Sequence, residues 1–156
     1  RITVESRIKE CESAINSLLN KQQFCAFRDD TKYTLKQLKD LIGVRILVFP
    51  SNLLEEVNNT IISKLPHWES DPELVGEVKI LKYRGFVERN KTIKCEIQIV
   101  PMLTGLFWEV EHFVLYKPQP QYKNTKSDPD MKKYYREVLN TFVKFEKAFE
   151  KVISKK

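Results

Sequence analysis

The stretch Lys94-Cys95-Glu96-Ile97-Gln98-Ile99 reads by twos. Cys95, Ile97 and Ile99 fall on one face of a strand, and Lys94, Glu96 and Gln98 on the other. The first face is apolar enough to bury against helices. The second carries a cation, a carboxylate and an amide in a row, a pattern that a solvated edge strand also shows. The residues downstream favour a site. Pro101 stands where a helix begins, and Leu103, Phe107, Val110 and Val114 then recur at helical spacing. A polar strand face thus ends beside a helix start.

Upstream, Ile80 to Glu88 reads as the hairpin partner of Thr92 to Val100, with Arg89-Asn90 as the turn. Ile42-Gly43-Val44-Arg45-Ile46-Leu47-Val48-Phe49 is apolar on both faces, the mark of a central strand. Arg45 interrupts it, and a buried arginine needs an anion, either a carboxylate or a ligand phosphate. Pro50-Ser51 opens a helix from Asn52 to Leu65, with Leu54, Val57, Ile61 and Leu65 inward. His67 to Pro72 reads as a turn.

At the amino end, Val4, Ile8, Cys11, Ile15 and Leu18 form a helical stripe, which predicts a helix from Val4 to Leu19. Arg7, Lys9 and Ser13 lie on its exposed side. Gln22 to Lys32 reads as a loop, and Thr34 as the cap of a short helix, Leu35 to Leu38. Gln119 to Asp130 is a polar linker. Asp128-Pro129-Asp130 starts a final helix, with Met131, Tyr135, Val138, Phe142, Phe145, Phe149 and Val152 as its apolar stripe. The order helix, strand, helix, hairpin, helix predicts an α+β fold with a mixed sheet flanked by helices. The organisation expected is a core over 1–117, a linker over 118–130 and a carboxy-terminal helix over 131–156 docked on the same domain. Coiled-coil pairing with another chain is the alternative use of that helix.

The 156 residues suit one domain. At 42% hydrophobic and 31% charged, the chain is globular rather than disordered. No apolar run is long enough to span a bilayer, so no membrane partner is expected. Cys11, Cys25 and Cys95 are odd in number and lack metal spacing, which predicts reduced thiols and a cytoplasmic location. The chain begins at Arg1 rather than a methionine, which points to a processed piece or part of a longer chain, so the absence of a targeting segment carries no weight. A formal charge of +6 favours anionic partners weakly.

Hydrolytic triads do not assemble, since the histidines are only His67 and His112 and no nucleophile stands in an elbow. Zinc lacks ligands. The four glycines are scattered, so there is no glycine-rich phosphate loop. Asp40, at the mouth of the central strand, and Glu96 remain. On neighbouring strands they could share Mg²⁺, an ion that takes one or two carboxylates and fills its shell with water and phosphate oxygens. Arg7, Lys9 and Arg45 could then clamp phosphates. The alternative is an ordinary salt bridge between Asp40 and Arg45 or a lysine.

Three segments together resemble the RelA/SpoT-type synthetase domain, the nucleotide pyrophosphokinases that make (p)ppGpp, and their toxin relatives. They are Ser6-Arg7-Ile8-Lys9 with Glu12-Ser13, then Leu38-Lys39-Asp40-Leu41-Ile42-Gly43-Val44-Arg45-Ile46. The third is Glu96-Ile97-Gln98-Ile99 with Trp108-Glu109-Val110-Glu111-His112 and Tyr116-Lys117. The resemblance implies a nucleotidyltransferase-like mixed sheet and transfer of pyrophosphate from ATP to a ribose 3′-hydroxyl. Arg7 would stack on or clamp the adenine, and Lys9, Ser13 and Arg45 would address the ATP phosphates. Asp40 and Glu96 would hold Mg²⁺, Glu96 would also take the hydroxyl proton, and Gln98 would lie near the acceptor. Trp108, Glu111 and His112 would lock the last helix to the sheet.

The sequence departs from the family in places. Ser17 stands where a lysine is common, and Val100-Pro101 where Arg-Thr usually follows. The Gly-Tyr-x-Ser-x-His loop, whose tyrosine stacks on the acceptor base, is absent; further residues near Lys79 are the expectation. Tyr83 is a poorly aligned substitute for that ring. GDP or GTP is the default acceptor, with adenine nucleotides or the tRNA 3′ end as the toxin-type alternative. Lys132, Lys133, Lys144, Lys147 and Lys151 suit tRNA backbone contacts and equally a solvated helix. A catalytically inactive nucleotide-binding sensor or interaction domain is the alternative from another class. Family members are often controlled by oligomerisation, by an antitoxin or by an added regulatory segment.

Overall fold

The structure is a computed structural model and describes residues 1–23, 38, 40–75, 77–87, 90–112, 114 and 128–155. The chain begins with β1 (Ile2–Ile8) and α1 (Cys11–Gln23), followed by β2 (Ile42–Val48). A 3₁₀ turn at Ser51–Leu53 leads into α2 (Leu54–Lys64). Two short strands, β3 (Glu69–Ser70) and β4 (Glu73–Val75), precede the long hairpin of β5 (Val78–Val87) and β6 (Asn90–Pro101). α3 (Met102–Glu111) and α4 (Pro129–Ile153) are the last elements among the described residues. The predicted helix over 35–38 apart from Leu38, Cys25, Tyr116-Lys117 and most of the 118–130 linker lie outside the described residues, as does the expected 22–32 loop beyond Gln23, whose first two residues belong to α1.

Among the described residues the sheet has six strands in the order β1-β2-β6-β5-β3, and β4 also pairs with β5. β2 and β6 are parallel, and the other pairs are antiparallel. The mixed sheet and flanking helices are those expected of an α+β chain. α2 covers one face, where Val57, Ile61 and Leu65 pack on Ile46, Val48, Leu81, Tyr83, Ile97 and Ile99. On the other face Leu47, Val78, Ile80 and Val100 pack beneath Met102 and Trp108 of α3 and Val143 of α4. That second cover stops short. Beyond it the same face carries the polar residues of β1, β2, β5 and β6.

The predicted helix from Val4 to Leu19 is corrected to a strand followed by a helix. All seven residues of β1 pair with β2 from Ile2↔Val48 to Ile8↔Ile42. Val4 and Ile8 fit the helical stripe, but Ile2-Thr3-Val4 is β-branched, and the open edge of β2 overrides so short a period. The chain therefore opens on a strand, and the 67–72 turn holds β3 and the approach to β4. Near Lys79, where further residues are expected, β4 and β5 form an antiparallel pair with Val75 opposite Val78.

Asp128 caps α4, its Oδ1 accepting from the backbone N–H groups of Asp130 (2.8 Å) and Met131 (3.3 Å). Phe142 meets Phe107 edge-on, Tyr135 stacks on Phe107, and Phe149 packs on Phe49. Tyr135 donates to Glu111 across 2.9 Å, joining α4 to α3. The inward stripe differs from the predicted one: Leu139 and Glu146 are buried, while Phe145 and Val152 are more than half exposed. Glu146 is 3% exposed, and burial raises its pKa above the ordinary value. Glu150 beside it accepts from Ser51 Oγ (3.0 Å) and Asn52 N–H (2.8 Å), satisfying a helix-terminal donor.

Candidate active site

Strand register assembles the polar face in two rows. Arg7 lies opposite Gly43, Gly43 opposite Glu96, and Glu96 opposite Arg84. One step along, Glu5, Arg45, Gln98 and Lys82 line up in the same way. Cross-strand partners share a face, so four strands deliver charged groups to one place. A cavity of about 330 Å³ opens there, lined by Arg7, Asp40, Arg45, Glu96 and Gln98 together with Glu5 and Glu109. Lys9 reaches it through Asp40, its Nζ donating to Oδ2 at 2.6 Å. Ser13, in the first turn of α1, is not among the lining residues.

Glu96 is held from within the lining by Gln98 and from outside it by Arg84. Arg84 Nε donates to Glu96 Oε2 (2.8 Å), and Gln98 Nε2 donates to Oε1 (2.7 Å). The far end of Arg84 is anchored in turn, Nη1 donating to Asp71 Oδ2 at 2.5 Å. Burial opposes the charge of Arg84, yet its bonds to Glu96 and Asp71 outweigh it and hold the guanidinium above its ordinary pKa. The arginine is a permanent cation.

Arg45 is less well served. Its guanidinium lies 5.8 Å from the Trp108 ring centroid, and Nη1 is 3.9 Å from Glu109 Oε1. Its Nε is buried with no hydrogen-bond partner among the described residues. A buried N–H of a charged group left unpaired is costly, and an anion entering the cavity could relieve it.

Comparison with family models and with curated protein sequences found no match. Comparison with solved structures did. The crystal structure of small alarmone synthetase 1 from Bacillus subtilis bound to AMPCPP is similar at a TM-score of 0.63 and 14% identity. The similarity covers 98% of this chain and 77% of that one. This chain has the fold of a small alarmone synthetase.

Within the small alarmone synthetase fold of this chain, six of the seven singled-out residues come together and Ser13 does not. Asp40 is paired with Lys9, the lysine salt bridge that was the alternative to metal binding. Among the described residues no group of three or more His, Cys, Asp or Glu side chains is placed to hold a metal. Two hard-oxygen carboxylates on one cavity nevertheless suit Mg²⁺, which needs no more from the protein. Tyr83 cannot serve as a platform here. It is buried on the opposite face, with its hydroxyl on Asn58.

Three residues of the site were missed in the sequence. Glu5 was hidden by the helical reading of β1. Glu109 stood inside a segment read as structural, and only the approach of α3 to β2 reveals it. Arg84 depended on register. A turn at Arg89-Asn90 would set residues of opposite parity against each other, whereas an irregularity at Phe86/Val87 places Arg84 opposite Glu96. The alternation of Leu81 and Tyr83 with Lys82 and Arg84 was the signal that could have found it.

Proposed function

We propose that the protein is a Mg²⁺-dependent pyrophosphokinase that transfers the β,γ-pyrophosphate of ATP to the 3′-hydroxyl of a guanine nucleotide, GDP or GTP, in the cytoplasm. The observation that carries this reading is the buried, unpartnered Nε of Arg45 beside Asp40 and Glu96 in one cavity. That combination suits an anion that arrives with a metal ion. In this reading Arg7 clamps the adenine, and Lys9 and Arg45 hold phosphates as cationic donors. Asp40 and Glu96 would hold Mg²⁺, which supplies charge neutralisation on the phosphates when bound. Glu96 accepts the proton of the 3′-hydroxyl as that oxygen bonds to the β-phosphorus. The bond from the β-phosphorus to the oxygen it shares with the α-phosphate breaks, and AMP leaves. Gln98 lies toward the acceptor. Alignment and charge neutralisation are most of what such a transfer asks of a protein. Ser13 has no role in this scheme.

A second reading rests on a different observation. No aromatic side chain lines the cavity among the described residues, so nothing there offers a base the stacking platform of the family's acceptor loop. This favours a domain that binds ATP without transferring pyrophosphate, or one with another acceptor, an adenine nucleotide or the tRNA 3′ end.

Incubation with γ-labelled ATP, Mg²⁺ and, separately, GDP, GTP, AMP, ATP or deacylated tRNA tests both. Label passing to GDP or GTP, and lost in Glu96→Gln, supports the proposal. Label passing to another acceptor moves the activity to the toxin type. Binding of ATP with no transfer to any acceptor supports the sensor.

A further inference from the structure

We infer that Arg84, braced by Asp71, is a positioning residue that orients the Glu96 carboxylate for transfer. The inference rests on the pyrophosphokinase reading of the site and extends it to residues outside the cavity lining. Glu96 is gripped from two sides, by Arg84 Nε at Oε2 (2.8 Å) and by Gln98 Nε2 at Oε1 (2.7 Å). Two donors on two oxygens fix both the rotation and the plane of the carboxylate. An ionised carboxylate offers about four lone-pair sites, so the grip leaves capacity for an incoming proton or cation.

The brace is directional. Arg84 lies on β5 directly opposite Glu96 on β6, so the backbone ladder sets its distance from that carboxylate. Its far nitrogen is tied at 2.5 Å to Asp71, which follows β3 along the outer edge of the sheet. The Asp71 backbone N–H donates to Lys82 O at 2.8 Å, so the strap holding this carboxylate is itself pinned to β5. Glu73 of the same strap pairs with Lys82. The strap therefore occupies both cations of β5 on this face and leaves Arg84 only its Nε side for Glu96. With Arg84 truncated, Gln98 alone would hold Glu96 and the carboxylate could swing. A lysine at the same position restores one cationic contact without the fork.

The test measures label transfer from γ-labelled ATP and, separately, the affinity for a non-hydrolysable ATP analogue, in wild type, Arg84→Ala, Arg84→Lys and Asp71→Asn. Misplacing a reacting group by an ångström can cost about 100-fold, so Arg84→Ala is expected to lower kcat by roughly that factor. Its KM for ATP and its affinity for the analogue should stay within about threefold of wild type, because the phosphate-holding residues are untouched. Arg84→Lys should recover about tenfold of the loss. Asp71→Asn, an isosteric change at the strap, should lower kcat by several-fold with KM unchanged, and it carries the test if Arg84→Ala fails to fold. Undiminished kcat in Arg84→Ala, or in Asp71→Asn where Arg84→Ala does not fold, overturns the inference and leaves the pyrophosphokinase reading standing. So does a loss shared equally between kcat and analogue affinity, or no recovery in Arg84→Lys. Wild type that transfers no label to any acceptor overturns the reading and this inference with it.

Discussion

Arg7 crosses the space left open by Gly43 on the neighbouring strand. A Cβ at residue 43 would stand 3.4 Å from Arg7 Cγ and 3.5 Å from its Nε. An added methyl makes ordinary contact there, so Gly43→Ala is expected to change neither stability nor nucleotide affinity measurably. Gly43→Val adds bulk on the line of the arginine at a site where a β-branched residue suits the strand. Its thermal midpoint should hold, while affinity for a non-hydrolysable ATP analogue falls about tenfold, the worth of one charge-assisted contact. Calorimetric titration and a melting curve on the same sample check both halves.

Arg45 sets stability against the proposed function. With its Nε buried and unpartnered among the described residues, it carries a desolvation cost that a hydrophobic side chain of similar length would not. Arg45→Met is expected to be neutral or up to about 1 kcal/mol more stable in urea unfolding. The same variant should bind the ATP analogue about 10- to 100-fold more weakly. A destabilised variant with intact binding would show that Glu109 and Trp108 already satisfy the guanidinium.

Gly85 answers to packing alone. A Cβ at this position would overlap the Trp68 ring, which packs on the α2 side of the sheet. Gly85→Ala should cost about 1 to 3 kcal/mol, seen as a lower denaturant midpoint at unchanged slope. Because the clash is on the face away from the cavity, ligand affinity measured on the folded fraction should be unchanged.

Glu146 makes stability depend on pH. Burial raises its pKa above the ordinary 4.5; hydrogen bonds from Ser51 lower it in part, and the charge of Glu150 raises it further. The native state therefore holds this proton where the unfolded chain has released it. The contribution is complete below about pH 4.5 and is lost as pH rises through the raised value. Glu146→Gln should flatten the decline of stability across that window, as read from urea midpoints at a series of pH values.

Much of this was legible in the sequence, and the rest had physical reasons to be hidden. The alternation of Cys95, Ile97 and Ile99 with Glu96 and Gln98 identified a strand with one buried face, and the apolar run around Arg45 identified its central neighbour. Asp40, Arg45 and Glu96 could be proposed together because each is a charged group beside apolar sequence. The amino-terminal strand was not legible, because Val4 and Ile8 fit a helical period equally well and only the edge of β2 decides between them. Arg84 was hidden because register depends on a strand irregularity, and its two acceptors lie at separations of 12 and 13 residues. Glu146 was passed over because an apolar stripe does not announce a buried acid within it.

The parallel pairing of β2 with β6 has a consequence for how the chain is made. β1 and β2 can zip together as soon as they leave the ribosome, but the other edge of β2 waits for residues 95–101. Until then a two-stranded ribbon with an open apolar edge is exposed, and such non-local closure is slow. The growing chain therefore passes through an interval in which it invites chaperones and copies of itself. The cavity cannot form in that interval, since its floor is the seam still to close. Ligand can stabilise only the finished sheet. Synthesis that stalls before β6 yields a product that no ligand of the cavity can rescue.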